Sequence, residues 1–324
     1  MIGRRFHAIA ETVPGAKLAA VLQRHWSGYR AFWAKDGTAA RPSLAACRAA
    51  LTRYMPELLQ PWEALVAVAG GDEEQACFLS LWCPPDFHQA CSQAIWTRRP
   101  FAIVRNYDYP PGAFDAVLLR AELTGTPTLA MTDCVWGVLD GLNAHGLAVS
   151  LSFGGRRVHG QGFGVALIQR YLLETCRDVA DALSALRRVP VHLCYNLALL
   201  DRSGERALVE IAPDRAPGLR REAFAGNRQG DHTRPESEHL LDTVRREALL
   251  AACLANPLET LPRLIDRFLA PPLRRPLGAD GWGTLYTACW LPQSGEVRLC
   301  WPDQDWRQSL AGFAEGERIA VYRG

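Results

Sequence analysis

The chain changes its hydrophobic pattern near residue 91, and this change limits its possible folds more than any other feature. Residues 16–70 carry apolar side chains at helical spacing. One such stripe is formed by Leu44, Cys47, Leu51 and Tyr54. From Cys91 onward, short apolar runs are bounded by Gly, Pro, Asn or Asp, which is typical of strands and turns. The sequence therefore predicts a helical N-terminal segment over residues 1–90 and a strand-rich segment over residues 91–324.

The strand-like runs of the second segment come in groups and do not alternate strictly with helices. They cover residues 94–96, 101–104, 115–119, 148–153, 197–200, 207–211, 284–291 and 296–300. Helical periodicity appears between them at residues 165–186 and 237–255. Grouped strands favour antiparallel sheets with packed helices over a doubly wound parallel sheet. The fold class predicted from the residues is therefore α+β.

Composition and charge exclude several classes of partner. The chain has 324 residues, of which 48% are hydrophobic and 22% charged, and its 36 basic and 34 acidic residues leave a net charge of +2. A balance so close to zero argues against nucleic acid or a membrane surface as the main partner. The first residues lack the apolar core of a signal peptide, and no apolar run approaches the roughly 18 residues of a membrane span. We therefore expect a cytoplasmic protein.

Ten cysteines are scattered along the chain without a CxxC pair. In a reducing compartment a chain of this length does not need disulfide bridges, so most of these cysteines are expected to be small buried hydrophobic residues. A reactive cysteine must therefore be identified from its surroundings.

The common catalytic and metal-binding motifs are absent from the sequence. It contains no GxSxG, HExxH or GxxxxGK[ST], and residues 160–164 lack the full GxGxxG spacing of a nucleotide site. Four histidines in turn-like contexts show no consistent ligand spacing and are expected at the surface or in hydrogen bonds: His145, His159, His192 and His232. The sequence thus predicts neither a metal nor a cofactor.

A hairpin that starts at Cys91 is the remaining candidate for chemistry. A strand-length run follows Cys91, a turn covers residues 97–100, and the next run ends in Arg105-Asn-Tyr-Asp108. Pairing across the turn brings Arg105 and Asp108 back beside Cys91. A thiol beside a cation has a lowered pKa, and a nearby carboxylate can hold an amine in a fixed orientation. The residues alone leave two interpretations open, a nucleophile or a buried cysteine beside an ordinary ion pair.

Three motifs in order resemble a known family. They are Cys91 with Arg105-Asn-Tyr-Asp108, Gly141-Leu-Asn143-Ala-His-Gly-Leu147, and Tyr195-Asn196. Together they resemble the acyl-coenzyme A:6-aminopenicillanic acid acyltransferase family, N-terminal-nucleophile hydrolases related to choloylglycine hydrolases and penicillin V acylases. The resemblance spans most of the chain, including the helical N-terminal segment. It implies a four-layer αββα sandwich and a precursor that cleaves itself between Ala90 and Cys91.

The resemblance also implies residue roles. By position, Cys91 is the nucleophile, and after cleavage its own α-amino group is the base, since a free α-amine has a pKa of about 7.7–8.0. Asp108 is expected to bind this amine, and Arg105 to favour the thiolate. Asn196, with a backbone N–H, is expected to donate to the oxyanion. Asn143 is expected to support the amine and the substrate.

The matches are less regular elsewhere in the chain. Asn227 falls where members of the family have an Asn-His pair, but Arg228 replaces the histidine. A Ser-x-x-Arg-like helix start is matched best at Arg245, with Ser237 as a second register. At the cleavage site Ala90 stands where Gly is usual, and alanine is small enough to allow the N-to-S acyl shift. We expect Asn227 to bind substrate.

Aromatic residues near the hairpin either line an acyl pocket or pack the core, and the sequence leaves both open. They are Trp96, Tyr107, Tyr109, Phe114, Trp136 and Phe153. Tyr107, which lies between Arg105 and Asp108, is the one we expect to contact substrate.

The functional hypothesis is an amidohydrolase that acts on a small N-acylated molecule through an acyl–Cys91 thioester. One alternative is a biosynthetic acyltransferase or cyclase that takes its acyl group from coenzyme A or a carrier protein. Another is a non-catalytic binding protein that stays uncleaved. If the chain is cleaved, its two segments form a heterodimer.

Overall fold

The computed structural model describes residues 2–86, 90–230, 238–277 and 281–322. Within these ranges the helices are α1 (Ala16–Trp33), α2 (Leu44–Tyr54), α3 (Leu59–Ala69), α4 (Glu73–Leu79), α5 (Val165–Thr175), α6 (Val179–Arg188), α7 (Glu238–Ala255) and α8 (Leu261–Phe268). The strands are β1 (Ile2–Glu11), β2 (Ala90–Trp96), β3 (Ala102–Tyr109), β4 (Val117–Ala121), β5 (Thr128–Asp133), β6 (Gly137–Asn143), β7 (Leu147–Phe153), β8 (Tyr195–Asp201), β9 (Arg206–Ala212), β10 (Arg215–Arg220), β11 (Phe224–Ala225), β12 (Gly283–Leu291), β13 (Glu296–Trp301), β14 (Gln304–Ser309) and β15 (Gly316–Tyr322).

The strands form two sheets. A nine-stranded sheet has the order β10-β9-β8-β7-β6-β5-β4-β1-β15, and a six-stranded sheet has the order β11-β2-β3-β12-β13-β14. Sequential strands are neighbours throughout most of both sheets, and these pairs are antiparallel. The parallel pair is β1 with β4. Grouped strands in the sequence therefore fold into antiparallel sheets, as predicted.

Three apolar clusters divide the fold into four layers. One cluster joins the N-terminal helices and α5 to the outer face of the nine-stranded sheet. A second fills the space between the two sheets, and a third joins α7 and α8 to the outer face of the six-stranded sheet. The layers are thus helix, sheet, sheet and helix, which confirms the predicted αββα sandwich. None of the described helices combines the length and apolar character that a membrane span needs.

The first eleven residues correct the prediction of a helical N-terminal segment. Helices begin at residue 16 as expected, but residues 2–11 form β1, which lies between β4 and β15 in the nine-stranded sheet. The alternating pattern of this strand is short, because its buried apolar residues are Phe6 and Ala8 and charged residues stand close to them in the chain. The segment before residue 91 therefore contributes one strand to the nine-stranded sheet, whose other strands come from the segment after it.

A second difference lies in the helical stretch 165–186. The chain leaves the helix at Cys176, which has extended dihedral angles, and α6 begins after Asp178. The Asp178 carboxylate accepts a hydrogen bond from the Asp181 N–H at 2.9 Å, which is a typical N-cap contact. This cap divides one predicted helix into two.

The hairpin of β2 and β3 lies in the middle of the six-stranded sheet. Cys91 pairs with Tyr107, and Ala90 pairs with Asp108. Directly paired residues share a face, and successive residues alternate between faces. Cys91 and Tyr107 point into the core between the sheets, whereas Asp108 points toward the outer helices. The two faces of this hairpin therefore carry different parts of the candidate site.

Candidate active site

Cys91 is the second residue of β2 and is fully buried between the sheets. The Arg105 guanidinium lies beside the thiol, with Nη2 donating to Sγ at 3.2 Å. Burial raises the pKa of the Cys91 thiol above its ordinary value, and the positive charge of Arg105 opposes this rise without cancelling it. The predicted contact between Arg105 and Cys91 is present, but in the uncut chain the buried thiol is held in its protonated form.

Arg105 is itself fully buried, and its charge is balanced by Asp140. Arg105 Nη1 donates to the Asp140 carboxylate and to the Leu139 carbonyl, the latter at 3.1 Å. Burial alone would lower the pKa of the guanidinium, but its interactions with Cys91 and with the Asp140 carboxylate raise it, so Arg105 stays charged. A buried cation needs such a partner, because an unpaired charge in a protein interior is costly.

Asp140 was not singled out by the sequence, although it organises the site. Its carboxylate accepts hydrogen bonds from Tyr286 Oη and Trp290 Nε1, both at 2.7 Å. Tyr286 and Trp290 lie on β12, which pairs with β3. In the sequence, Asp140 stands out only as a single charged residue within the apolar run of β6. Its hydrogen-bond partners are distant in the chain, so the sequence of β6 does not indicate these contacts.

Asn227 contacts the backbone nitrogen of Cys91. The Cys91 N–H donates to Asn227 Oδ1 at 2.9 Å, and Asn227 Nδ2 donates to the Phe153 carbonyl at 3.2 Å. Sequence reasoning gave Asn227 a substrate-binding role. The structure instead brings its side chain to the Cys91 nitrogen, which becomes an α-amine if the chain is cut before it.

Asn196 lies on β8 and supports the segment that carries Asn227. Its Nδ2 donates to the carbonyls of Gly226 and Arg228, each at 3.1 Å. Gln93 of β2 donates to the Asn196 carbonyl at 3.0 Å, which links this strand to the hairpin. The Asn196 side chain is thus close to the site, but its amide donor is bonded to the two residues that flank Asn227.

Asp108 is bound by groups other than the Cys91 nitrogen. Its carboxylate accepts from Arg246 Nη1 at 2.7 Å and from Thr284 Oγ1 at 2.6 Å. Its backbone pairs with Ala90, the residue before the predicted cut. Asp108 therefore lies beside the Ala90–Cys91 bond, as the hairpin predicted, with its side chain on the opposite face of the sheet from the thiol.

The arginine predicted on α7 is displaced by one position. Arg245 is exposed, whereas Arg246 is buried and pairs with Asp108. Residues three apart lie on the same helix face, so Thr243, which accepts from the Asn227 N–H at 3.4 Å, is followed on that face by Arg246. The other register, Ser237, lies outside the described residues.

Asn143 is not brought to Cys91. Its Nδ2 donates to the Leu173 and Cys176 carbonyls at 2.9 and 2.8 Å, and its Oδ1 accepts from the Leu147 N–H at 3.0 Å. These contacts hold the end of α5 on the outer face of the nine-stranded sheet. The neighbouring Leu142 points into the core between the sheets, so Asn143 points away from that core.

Tyr107 lies in an aromatic cluster beside the thiol. The Arg105 guanidinium lies over its ring at 4.9 Å from the centroid, and Tyr107 Oη donates to Asp133 Oδ2 at 3.3 Å.

Tyr109, two residues further along β3, lines a cavity of about 180 Å³. The cavity is also lined by His25, Gly28, Tyr29, Phe32, Gly112, Ala113, Asp133 and Cys134. Helix α1 thus forms one wall of this cavity, and the end of β3 contributes to another.

Two buried carboxyl groups, Asp115 and Asp133, meet behind this cavity. Tyr29 of α1 donates to Asp115, and its hydroxyl lies 3.0 Å from Asp133 Oδ1. Burial raises the pKa of Asp115 to about 8 and that of Asp133 to about 6. Cys134 and Val135 next to them have positive φ values of 54° and 74°, which is strained for residues with side chains. The Val135 N–H donates to Asp115 Oδ2 at 2.8 Å and so helps to hold this conformation.

A model of the acyl-coenzyme A:6-aminopenicillanic acid acyltransferase family matches residues 97–306, which is more than half of the chain. The match begins after Cys91, so it does not itself assign the nucleophile. No curated protein shows significant similarity to the chain.

Three solved structures can be named among those similar to this one. A mutant of conjugated bile acid hydrolase from Clostridium perfringens is 13% identical, with 72% of this chain and 97% of that chain covered and a TM-score of 0.47. Penicillin V acylase from Agrobacterium tumefaciens is 14% identical, with 68% and 86% covered and a TM-score of 0.48. The N-acylethanolamine-hydrolyzing acid amidase ortholog of Caenorhabditis elegans is 14% identical, with 71% and 100% covered and a TM-score of 0.46. On the extent of the family match, the chain belongs to the acyl-coenzyme A:6-aminopenicillanic acid acyltransferase family.

Proposed function

We propose that this chain is an autoprocessing cysteine amidohydrolase that cleaves the amide bond of a small N-acylated molecule. The observation that carries the proposal is the pair of contacts at Cys91. Arg105 Nη2 lies 3.2 Å from the thiol, and Asn227 Oδ1 lies 2.9 Å from the nitrogen of the same residue. One side chain thus favours the thiolate, and the other orients the group that serves as base.

Processing activates the enzyme by exposing that base. The Cys91 thiol attacks the Ala90 carbonyl carbon, the peptide C–N bond breaks, and the thiol proton ends on the Cys91 nitrogen. Water then hydrolyses the Ala90 thioester, which leaves a carboxylate on Ala90 and a free amine and thiol on Cys91. The full burial of Cys91 in the uncut chain supports this zymogen interpretation.

In the processed enzyme, the α-amine of Cys91 takes the thiol proton, since a free α-amine has a pKa of about 7.7–8.0. The thiolate attacks the acyl carbon of the substrate, and the leaving amine departs with a proton from the Cys91 ammonium. Water attacks the acyl–Cys91 thioester in the second half of the cycle. Arg105 stabilises the thiolate, and Asn227 orients the amine.

Several residues around Cys91 take supporting roles in this proposal. Asp108 and Arg246 hold β3 and α7 together beside the Ala90–Cys91 bond. Asn196 acts as a positioning residue for Asn227 in the uncut chain, and donates to the oxyanion in the processed enzyme after its Nδ2 leaves the Gly226 and Arg228 carbonyls. The cavity lined by Tyr109 takes part of the substrate, and the Tyr107 ring stacks on that of Tyr109.

Acyl transfer is the second candidate, because the family is named for it. It uses the same acyl–Cys91 thioester, which an amine takes instead of water, and the acyl donor is then an acyl-coenzyme A or an acylated carrier protein. A cytoplasmic location is part of both proposals. The absence of disulfides among ten free cysteines supports it, since reducing compartments keep thiols free.

The test is to trap the thioester. The purified, processed protein is incubated with a panel of N-acyl p-nitroanilides of different chain length, quenched in acid and digested for mass spectrometry. We expect an acyl adduct on the peptide that begins at Cys91 and release of nitroaniline. Cys300→Ala, which removes a buried thiol from another cluster, is the matched control and retains both signals. Turnover without any adduct on Cys91 contradicts the proposal. Added amines that divert the acyl group from water favour the acyltransferase.

A further inference from the structure

Three possible metal ligands come together at a place that the mechanism does not use. One ligand atom each from Asp86, His159 and His192 lies within 4.8 Å of the others. His159 Nδ1 is 2.9 Å from Asp86 Oδ1, and the two imidazole rings are 6.1 Å apart between centroids. The sequence did not indicate this cluster, because its members are far apart in the chain and follow no ligand spacing.

His192 is held in the orientation of a metal ligand. Its Nδ1 lies 2.7 Å from the Gly160 carbonyl, to which it donates, so Nε2 keeps a free lone pair. A ligating histidine commonly donates its other ring nitrogen to a backbone carbonyl in this way, which fixes the tautomer and the ring. The ring is therefore fixed before any ligand arrives.

The backbone around His192 is also rigid. The Gly160 N–H donates to the His192 carbonyl at 3.1 Å, and the His192 N–H donates to the Phe163 carbonyl at 3.0 Å. Asp86 and His159 have side chains that are 35% and 48% exposed, so they can move toward a common ion and leave room for water. Arg41, a cation whose charge acts on this histidine, is paired with Asp36 at 3.1 Å.

We propose that Asp86, His159 and His192 bind a divalent transition-metal ion of the zinc type, with water completing the coordination. Imidazole and carboxylate groups are typical zinc ligands at bond lengths of about 2.0–2.2 Å. A single carboxylate and two neutral imidazoles give the site a charge of −1, which suits a divalent cation.

Because of the position of the site, a bound ion also affects the protein after cleavage. This second inference rests on the proposed function. Asp86 belongs to the segment before the proposed cut at Ala90–Cys91, whereas His159 and His192 belong to the segment after it. A bound ion therefore joins the two products of processing and holds the new C-terminal end of the first segment against the second.

The binding test uses the full-length Cys91→Ala chain, which stays uncut and lacks the thiol of the proposed active site. After treatment with EDTA and dialysis, the protein is titrated with ZnCl2 by calorimetry and with CoCl2 by visible absorption. We expect one ion per chain and a cobalt spectrum of nitrogen and oxygen ligands. Sulfur-to-cobalt charge-transfer bands, or the absence of stoichiometric binding, overturn the proposal.

Variants locate the ion. In the same background, His159→Ala and His192→Ala are expected to weaken zinc binding by about 100-fold, and Asp86→Asn by about 10-fold, as is typical when groups around a metal are removed. His145→Ala, which removes an exposed histidine elsewhere, is the control and keeps the original affinity. Because His159 is half exposed, its variant tests the site even if the His192 variant fails to fold. Unchanged affinity in His159→Ala contradicts the proposal.

The role of the ion in holding the two segments together is tested separately, in the processed wild-type protein. We expect zinc to raise the urea concentration at which the two segments separate, and EDTA to reverse this. Equal midpoints with zinc and with EDTA overturn the anchoring role. A wild-type chain that never cleaves contradicts the proposed function, whereas the zinc titration of Cys91→Ala is independent of that result.

Discussion

Arg105 holds a full positive charge in a fully buried position, and its two sides have different contacts. One side contacts the Cys91 thiol, and the other is balanced by Asp140. A lysine has a single charged end and cannot span both partners as the planar guanidinium does. The identity of this side chain therefore matters as much as its charge.

Arg105→Lys is expected to lower kcat by about 10²-fold, in the range found when one preorganised donor is removed. The apparent pKa of Cys91 should also rise, because the positive charge near the thiolate becomes less well placed. Both are measured on the processed enzyme, the second by the pH dependence of alkylation with iodoacetamide. Arg99→Lys, in the exposed turn of the same hairpin, is the control. An unchanged alkylation profile in Arg105→Lys would falsify this role.

Arg246 and Arg245 form a natural pair for a second prediction. Arg246→Ala leaves the Asp108 carboxylate buried without its cation, and breaking a buried pair in this way costs about 3–5 kcal/mol of unfolding free energy. Arg245→Ala removes an exposed side chain and should change stability by less than about 0.5 kcal/mol. Urea unfolding of the two variants measures the difference. Equal losses in both would contradict the assignment of Arg246.

The residues of the site were predictable where they lie close together in the chain. Cys91, Arg105 and Asp108 share one hairpin, so strand pairing alone brought them together. Asp140, Tyr286 and Arg246 meet that hairpin only through the packing of other strands and a helix, and a single sequence carries no signal for such distant contacts. Arg246 shows how a one-residue shift in a helical register exchanges a buried side chain for an exposed one.

At the scale of elements, α1 is bound to the end of β5 and to the segment before β4 through a buried acidic contact. The Tyr29 hydroxyl lies within hydrogen-bond distance of both Asp115 and Asp133, whose pKa values are raised by burial to about 8 and about 6. The folded chain therefore binds more protons at these groups than the unfolded chain does. This extra proton binding adds to the free energy of unfolding. The added free energy is fully present below the unfolded pKa of about 3.9, and it is lost as the pH rises through about 6 and about 8.

Asp115→Asn should remove part of this pH dependence. The amide keeps an acceptor oxygen but cannot ionise, so the fall in unfolding free energy between pH 5 and about pH 8 should be smaller than in the wild-type protein. Urea unfolding at a series of pH values across this range measures the slope of each protein. Groups away from this pair titrate equally in both proteins, so the difference between the two slopes reports on Asp115 and its coupled neighbour Asp133. Identical slopes would mean that the pair does not titrate as described.

Most elements were predictable because their patterns are long and regular. The helices within residues 16–70, the β2–β3 hairpin and the strands β7, β8, β9, β12 and β13 follow clear periodicities. Strand β1 was missed because its burial pattern depends on both neighbours, β4 and β15, which are far away in the chain. The break at Cys176 was missed because apolar spacing continues across the cap at Asp178.

At the scale of the whole molecule, the proposed cut does not divide the fold into two bodies. Strand β1 lies inside the nine-stranded sheet, and the N-terminal helices share one apolar cluster with that sheet. Grouped strands predicted an α+β fold, whereas the order of strands in each sheet depends on tertiary packing that the sequence pattern does not encode. The four layers came from the family resemblance.

The two products of cleavage are therefore expected to stay together. Separating them would remove β1 from between two strands and expose the apolar face of α1, which costs far more than a surface contact. Native size-exclusion chromatography should give one peak of unchanged size, and denaturing electrophoresis should give two bands. Two peaks under native conditions would contradict this expectation.

The most direct test of the central claim, Cys91 as an N-terminal nucleophile, is the intact mass of the purified protein during incubation. We predict that the wild-type chain of 324 residues converts into two products, of which the larger begins at Cys91. We also predict that Cys91→Ala stays whole and that Ala90→Gly converts at least as fast as the wild type. A wild-type chain that remains whole and inactive after long incubation, or a Cys91→Ala chain that is cut at the same bond, would contradict the account.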